Sequence, residues 1–198
     1  MLGRRVHYEL AFEDYLRARK LPYVAVHEAR RAIGAAGPIK AFDFIVYSRR
    51  AFNLLVDVKG RRLEPLRDRR PQEPDPTAPV QPPLIDVGAI LPVVPSSTFW
   101  QNWSTVDDLT GLDRWQRAFG PDFRPLLAFA YDLGKADVVH TGFDDTHVYR
   151  DRAYGLVAVS LEAYQRHQRP RSARWQTVYV PQRIFKLICR PLSYFLGL

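Results

Sequence analysis

The feature that most constrains the fold is an apolar stretch, residues 41–61, that a short basic turn divides in two. Ala41–Ser48 and Phe52–Lys59 are both rich in Phe, Ile, Val and Leu, and Arg49-Arg50-Ala51 separates them. Apolar runs of this length around a short turn predict two adjacent β-strands that form a hairpin. Charged side chains within such a hairpin are unusual and therefore mark candidate functional positions.

The hairpin register predicts that two acids meet. If Ser48 pairs with Phe52 across the three-residue loop, Asp43 lies directly opposite Asp57 on one face of the sheet. Because side chains alternate along a strand, Lys59 projects from that same face. A slip of one residue would turn Asp43 to the other face.

Two carboxylates that face each other in a partly buried sheet repel unless a cation neutralises them. Carboxylate oxygens suit Mg²⁺ or Mn²⁺, which keep several waters and can bind a substrate phosphate. An amine on the same face could position or deprotonate an attacking water, or stabilise charge on the phosphate. The alternative is a solvated hairpin face on which Asp57 and Lys59 only pair with each other.

The first predicted helix, Val6–Lys20, adds a third acid. Glu9 lies three residues before Phe12 and seven before Leu16, which places it on the apolar stripe of the helix. We interpret Glu9 as a carboxylate near the metal, with Glu13 as the second choice. A Glu favoured at a helix start by the macrodipole is the alternative interpretation.

These residues resemble the motifs of the PD-(D/E)XK nuclease superfamily, in which a helix with a Glu precedes a strand with an acid and a strand with D/E-x-K. Here the matching residues are Glu9, Asp43 and Asp57-Val58-Lys59, and Phe42 departs from the pattern because it replaces the proline before the first acid. The resemblance covers roughly residues 6–133. It implies that Asp43, Asp57 and Glu9 hold Mg²⁺ or Mn²⁺ and that Lys59 acts on water or phosphate.

The order of predicted elements agrees with that resemblance. Periodicity and turn signals predict a helix at 6–20, strands at 23–28, 41–48 and 52–59, a helix at 105–119 that begins at a capping box, and a strand at 123–131. The fold class expected is α/β, a restriction-endonuclease-like α-β-β-β-α-β core with a mixed central sheet. The second helix supplies the crossover for a parallel pair.

We expect one domain, residues 1–198, with three parts. The core covers about 6–133 and is interrupted at about 64–95 by a proline-rich insertion, and about 134–198 form an extension with further strands and a last helix. That helix, 182–196, leaves open whether it packs on the domain or on a second subunit of a homodimer. The cluster of His140, Asp144, Asp145 and His147 is explained by turn chemistry rather than by zinc.

The charge of the chain favours a polyanionic partner. The formal net charge is +8, which suits nucleic acid, and we expect DNA rather than RNA. An arginine bias from a GC-rich genome would give the same charge. The candidate substrate contacts are loop and strand cations: Arg30, Arg31, Lys40, Arg61, Arg171 and Arg174. The resemblance to the nuclease superfamily adds Gln116, a polar residue of the second helix.

Two further expectations follow from composition. The single cysteine, Cys189, excludes a disulfide framework and favours a reducing cytoplasm. No apolar run of bilayer length is present, so no membrane partner is expected.

The predicted function is a metal-dependent nuclease that hydrolyses phosphodiester bonds. The alternatives are a nucleic-acid-binding or interaction protein of the same fold without catalysis, and a hydrolase of small phosphorylated metabolites.

Overall fold

The computed structural model describes residues 7–26, 32–34, 37–63, 100–135 and 142–198. The described residues belong to one compact unit. The predicted insertion, about 64–95, and the interval containing His140 lie outside the described residues. The extent of a single domain therefore stays a prediction.

The described chain contains five helices and twelve strands. The helices are α1 (His7–Ala18), α2 (Val106–Phe119), α3 (Leu161–His167), α4 (Gln182–Ile188) and α5 (Leu192–Leu196). The strands are β1 (Tyr23–Ala25), β2 (Ala32–Gly34), β3 (Gly37–Ile39), β4 (Phe44–Val46), β5 (Asn53–Arg62), β6 (Ser104–Thr105), β7 (Phe123–Lys135), β8 (Thr146–Tyr149), β9 (Arg152–Ser160), β10 (Arg169–Ser172), β11 (Thr177–Tyr179) and β12 (Arg190–Pro191).

The central sheet has the order β1-β4-β5-β7-β9-β12, and β8 also pairs with β9. Strands β5 and β7 are parallel, and α2 lies between them in the chain, as a crossover connection requires. The other pairs of this sheet are antiparallel. The chain is thus a mixed α/β structure with a mixed central sheet, which confirms the predicted fold class and is consistent with a restriction-endonuclease-like fold.

The sheet is covered on both faces, and alternation along β5 assigns its side chains to one or the other. Leu54, Val56 and Val58 pack with the apolar side of α1, whereas Leu55 packs with Leu109 and Leu112 of α2. Asp57 and Lys59 alternate with the α1-facing residues. They therefore lie on the α2 side of the sheet.

Helix α2 begins where it was predicted. Thr105 Oγ1 accepts a hydrogen bond from the Asp108 backbone N–H at 3.1 Å, and the Thr105 N–H donates to Asp108 Oδ2 at 3.0 Å. These two bonds form the expected capping box. The helix ends at Gly120, whose φ of 91° is in the left-handed region that glycine adopts without strain.

The extension contains a second sheet that was not predicted. Its strand order is β10-β11-β6, and it joins the C-terminal region to the residues just before α2. The last helix is interrupted at Pro191, as expected for a proline, and the short strand β12, which pairs with β9, divides it into α4 and α5. A proline cannot donate the backbone hydrogen bond that helix continuation needs. A homodimer stays a prediction.

Candidate active site

The hairpin register agrees with the sequence analysis. Phe44 pairs with Val56 and Val46 with Leu54, which is the register that the sequence predicts for the hairpin. Asp43 lies just before β4, and its backbone N–H donates to the Val56 carbonyl at 2.9 Å. Its carboxylate Oδ2 accepts the Val58 N–H at 2.6 Å. Both the backbone and the side chain of Asp43 are therefore hydrogen-bonded to β5.

The environment of Asp43 disfavours the ionised form of its carboxyl group. Burial raises the pKa of Asp43 well above its usual value, and the negative charges of Asp57 and Glu9 raise it further. The Val58 N–H and Lys59 oppose this rise without cancelling it. An acid with a raised pKa releases its proton readily only when a cation is brought close.

Asp57 and Lys59 form a buried ion pair. Asp57 is 6% exposed, and its Oδ2 lies 2.7 Å from Lys59 Nζ, although the angles of this contact are not those of a hydrogen bond. Burial raises the pKa of Asp57, and Lys59 only partly offsets that effect. Burial on its own lowers the pKa of Lys59, but Asp57 and Asp108 outweigh it and the pKa is raised. Lys59 is consequently a cation at neutral pH, not a proton acceptor.

Asp108 is the site residue that sequence reasoning missed. Its Oδ2 lies 2.8 Å from Lys59 Nζ and also accepts hydrogen bonds from Ser104 Oγ and the Thr105 N–H, both at 3.0 Å. Burial favours the neutral acid, but Lys59 and the hydrogen bonds from Lys40, Lys59 and Thr105 lower the pKa of Asp108 well below its usual range. The capping box explained this residue from local sequence alone, so nothing in the sequence indicated its second role.

Lys40 completes the group of charges around Asp108. Its amine forms an ion pair with Asp108 Oδ1, and its side chain is 42% exposed. The backbone carbonyl of Lys40 accepts the Trp115 Nε1–H at 3.0 Å, and a Cβ on Gly111 would lie 2.8 Å from that carbonyl oxygen. Gly111 thus allows the close approach of α2 that holds Lys40. We call Lys40, Asp43, Asp57, Lys59 and Asp108 the acid–lysine cluster.

Glu9 lies in the first turn of α1, a helix that packs on the opposite face of β5 from Asp57 and Lys59. Its neighbour Tyr8 lies against β5 at Gly60, where a Cβ would overlap the Tyr8 ring. This close approach brings the charge of Glu9 near enough to influence Asp43. The second choice, Glu13, instead binds Arg17 at 2.6 Å and the Tyr23 hydroxyl at 2.7 Å.

The described residues contain no group of three or more His, Cys, Asp or Glu side chains arranged to hold a metal ion. The carboxylate pair that the structure does bring together is Asp43 and Asp57. This pair still fits Mg²⁺ or Mn²⁺, because such ions are commonly held by one or two carboxylates, waters and substrate phosphates.

Arg61 follows Lys59 on the same face of β5 but is engaged within the protein. It is 8% exposed, its Nη1 donates to the Gly60 carbonyl at 2.7 Å, and its Nη2 donates to the Trp103 carbonyl. Its guanidinium lies 4.1 Å from the centre of the Trp103 ring. Arg61 therefore holds Trp103 beside the acid–lysine cluster, and its predicted contact with substrate stays a prediction.

The other predicted substrate contacts lie in different places. Gln116 is eight residues beyond Asp108 on α2, about 12 Å along the helix axis, and lines a cavity of about 500 Å³ with Pro121 and Glu162. The structure does not bring it to the acid–lysine cluster. Arg171 and Arg174 lie on β10 and on the turn that follows it. Arg30 and Arg31 lie outside the described residues.

Asp145 and His147, near the β8 turn, have partners within the protein. Asp145 accepts the Tyr15 hydroxyl at 3.1 Å and the Ser193 N–H at 2.5 Å, and His147 contacts Asp14 at 2.8 Å. These contacts join α1, β8 and α5. No helix in the described part of the chain combines the length and apolar character needed to cross a bilayer.

No protein-family model and no curated protein matches the chain. Among solved structures, the chain is similar to Hjc, a Holliday junction resolvase from the archaeal hyperthermophile Archaeoglobus fulgidus. The sequences are 12% identical, the TM-score is 0.49, and the alignment covers 96% of this chain and 98% of Hjc. A likeness of this extent assigns no function to the chain.

Proposed function

We propose that this protein is a metal-dependent nuclease that hydrolyses phosphodiester bonds in nucleic acid, with DNA as the expected substrate. The observation that carries the proposal is that Asp43 Oδ2 accepts the N–H of Val58, the residue between Asp57 and Lys59, while Asp57 and Lys59 pair at 2.7 Å. Burial raises the pKa of both acids, and a divalent cation bound beside them would favour their charged forms.

Asp43 and Asp57 would hold Mg²⁺ or Mn²⁺, with Glu9 adding negative charge from the start of α1. A bound divalent ion supplies Lewis acidity and makes a water more acidic. The position of Glu9 favours a role in orienting the waters around such an ion rather than direct ligation. Each of these roles depends on oxygen ligands, which is the chemistry that Mg²⁺ and Mn²⁺ select.

Lys59 would act as a fixed positive charge rather than as a base, because Asp57 and Asp108 raise its pKa. A positioned ammonium stabilises the negative charge that grows on the phosphate oxygens in the transition state. Asp108 orients that amine from the other side at 2.8 Å, so it is a positioning residue. Lys40 pairs with Asp108 but is partly exposed, so it would also contact a phosphate of the nucleic acid backbone.

Replacing Asp57 by asparagine tests the proposal. Asparagine keeps the size of the side chain but loses the negative charge, so cleavage of labelled DNA in Mg²⁺ or Mn²⁺ is expected to fall by about 10²-fold or more. The matched control is Asp113→Asn, because Asp113 is an α2 acid whose partner is Arg117. The control should cleave as the wild type does.

Three outcomes separate the candidate functions. Cleavage that requires a divalent metal and Asp57 supports the nuclease. Salt-sensitive binding of nucleic acid without cleavage in any divalent metal would support a binding protein of the same fold and refute the nuclease. Release of phosphate from nucleotides, with none from polynucleotides, would instead indicate a hydrolase of small phosphorylated metabolites.

A further inference from the structure

The C-terminal part of the chain carries almost all of the excess positive charge. Residues 163–198 contain no Asp or Glu and seven basic residues: Arg166, Arg169, Arg171, Arg174, Arg183, Lys186 and Arg190. Three of these, Arg169, Arg171 and Arg174, lie on β10 and the following turn, and all three are exposed. Within the described chain none of the three forms an ion pair with a carboxylate, so their charge is available to an anionic partner.

The β10–β11 hairpin is firmly attached beside the active site. Strand β11 pairs with β6, and β6 leads directly into α2, three residues before Asp108. Asn102, just before β6, accepts the Val180 N–H and donates to the Val180 carbonyl, both at 2.9 Å. The buried Tyr164 hydroxyl donates to the Asn102 carbonyl at 2.7 Å. The hairpin is thus a fixed part of the structure.

A cation–aromatic contact joins the hairpin to the strand that carries Lys59. The Arg171 guanidinium lies 4.9 Å from the centre of the Trp103 ring, and the Arg61 guanidinium lies 4.1 Å from the same ring. Arg61 is two residues beyond Lys59 on β5 and projects from the same face. A nucleic acid strand with a phosphate at Lys59 would therefore have the hairpin as its neighbouring surface.

The turn of the hairpin presents an aromatic ring to solvent. Trp175 is 66% exposed, the highest fraction among the exposed aromatic side chains of the described residues, and its backbone N–H donates to Ser172 Oγ at 3.3 Å. The Arg174 guanidinium lies 5.1 Å from the centre of its ring. The backbone of the next residue, Gln176, accepts the Val106 N–H at 2.9 Å, which ties the turn to the start of α2. An exposed tryptophan on a tethered turn is well suited to stacking.

We infer, on the basis of the proposed function, that this hairpin binds unpaired nucleotides of the substrate. Trp175 stacks on an unpaired base while Arg169, Arg171 and Arg174 contact the backbone phosphates of the same strand. The absence of acids from residues 163–198 favours an anionic partner over a protein surface of mixed charge. The exposed ring favours unpaired bases, because the faces of bases inside a duplex are already covered by their neighbours. The preferred substrate therefore contains a single-stranded segment next to the cleaved bond.

Binding is measured without cleavage by using the full chain with Asp57→Asn and no divalent metal. Fluorescence anisotropy compares a labelled single-stranded oligonucleotide with a blunt duplex of the same sequence. Adding Trp175→Ala is expected to weaken single-strand binding by about tenfold or more and to change duplex binding by less than about twofold. The control is Leu187→Ala, since Leu187 is a 72% exposed apolar side chain on α4, and it should bind as its parent does.

The arginines are tested through the salt dependence of binding. Replacing Arg169, Arg171 and Arg174 together by glutamine should reduce the slope of log K against log salt by about two for a single strand. The control is Arg150→Gln, because Arg150 is an exposed arginine that also lies over an aromatic ring, that of Tyr149 at 5.2 Å. Its salt slope should equal that of the parent.

Failure of this inference is distinguishable from failure of the nuclease proposal. Equal single-strand affinity with and without Trp175, or equal loss on the duplex, would overturn the role of the hairpin even if Asp57 is needed for cleavage. Selective, Trp175-dependent binding by a protein that never cleaves would support the hairpin and overturn the nuclease.

Discussion

Lys59→Ala is expected to lower metal-dependent cleavage by about 10²–10³-fold or more, because it removes the positive charge placed beside the two acids. The loss should appear in kcat, since a charge aimed at the transition state contributes little to binding of the ground state. Single-turnover cleavage of labelled DNA measures this effect directly. Turnover equal to that of the wild type would remove Lys59 from the mechanism.

The same substitution should also destabilise the protein. Lys59 bridges Asp57 and Asp108, and removing one member of a buried ion pair costs up to about 3–5 kcal/mol. The double variant Lys59→Ala, Asp57→Asn removes the amine and one of its acids together. It should recover part of the lost stability and none of the lost activity, which separates the two roles of Lys59.

Asp43→Asn is expected to stabilise the metal-free protein at neutral pH while abolishing its response to Mn²⁺. The pKa of Asp43 is raised by burial and by Asp57, so ionised Asp43 lowers the free energy of unfolding. Asparagine removes the charge and keeps an oxygen that can accept the Val58 N–H. Each 1 kcal/mol gained raises the Tm of a chain of this size by about 2–4 °C.

The gain in stability of Asp43→Asn over the wild type depends on pH. Because the pKa of Asp43 is higher in the folded than in the unfolded chain, the favourable effect of its protonation is fully present below the unfolded value, about 3.9, and is lost as pH rises through the folded value. The variant should therefore gain over the wild type only above that range. Mn²⁺ should raise the Tm of the wild type and of the control Asp144→Asn, an exposed acid near β8, but not that of Asp43→Asn. A Mn²⁺ shift that survives in Asp43→Asn would contradict the account.

Strand periodicity determines the part of the site that could be predicted from the sequence. The turn fixes the register of the β4–β5 hairpin, so the pairing of Phe44 with Val56 and the shared face of Asp57 and Lys59 follow from counting residues. The parallel β5–β7 pair was likewise predictable, because α2 supplies the crossover between two apolar runs. These features depend on local rules of strand pairing and chain connection, which can be applied to the sequence alone.

Residues brought in by tertiary packing could not be read in the same way. Asp108 already had a local explanation as the N3 residue of a capping box, and only the packing of α2 on β5 shows that it also contacts Lys59. The sheet β10-β11-β6 pairs residues about seventy positions apart, and an arginine-rich segment carries no periodicity that would reveal this. Arg61 was predicted from sequence as a substrate contact, and the structure shows that it is buried against Trp103.

The most direct test is to locate the bound cation. An anomalous difference map from crystals grown with Mn²⁺ is predicted to show a peak in contact with carboxylate oxygens of both Asp43 and Asp57, on the side of β5 that carries Lys59. A Mn²⁺ peak that contacts neither acid, or no peak at a Mn²⁺ concentration that supports cleavage, would contradict the proposed active site.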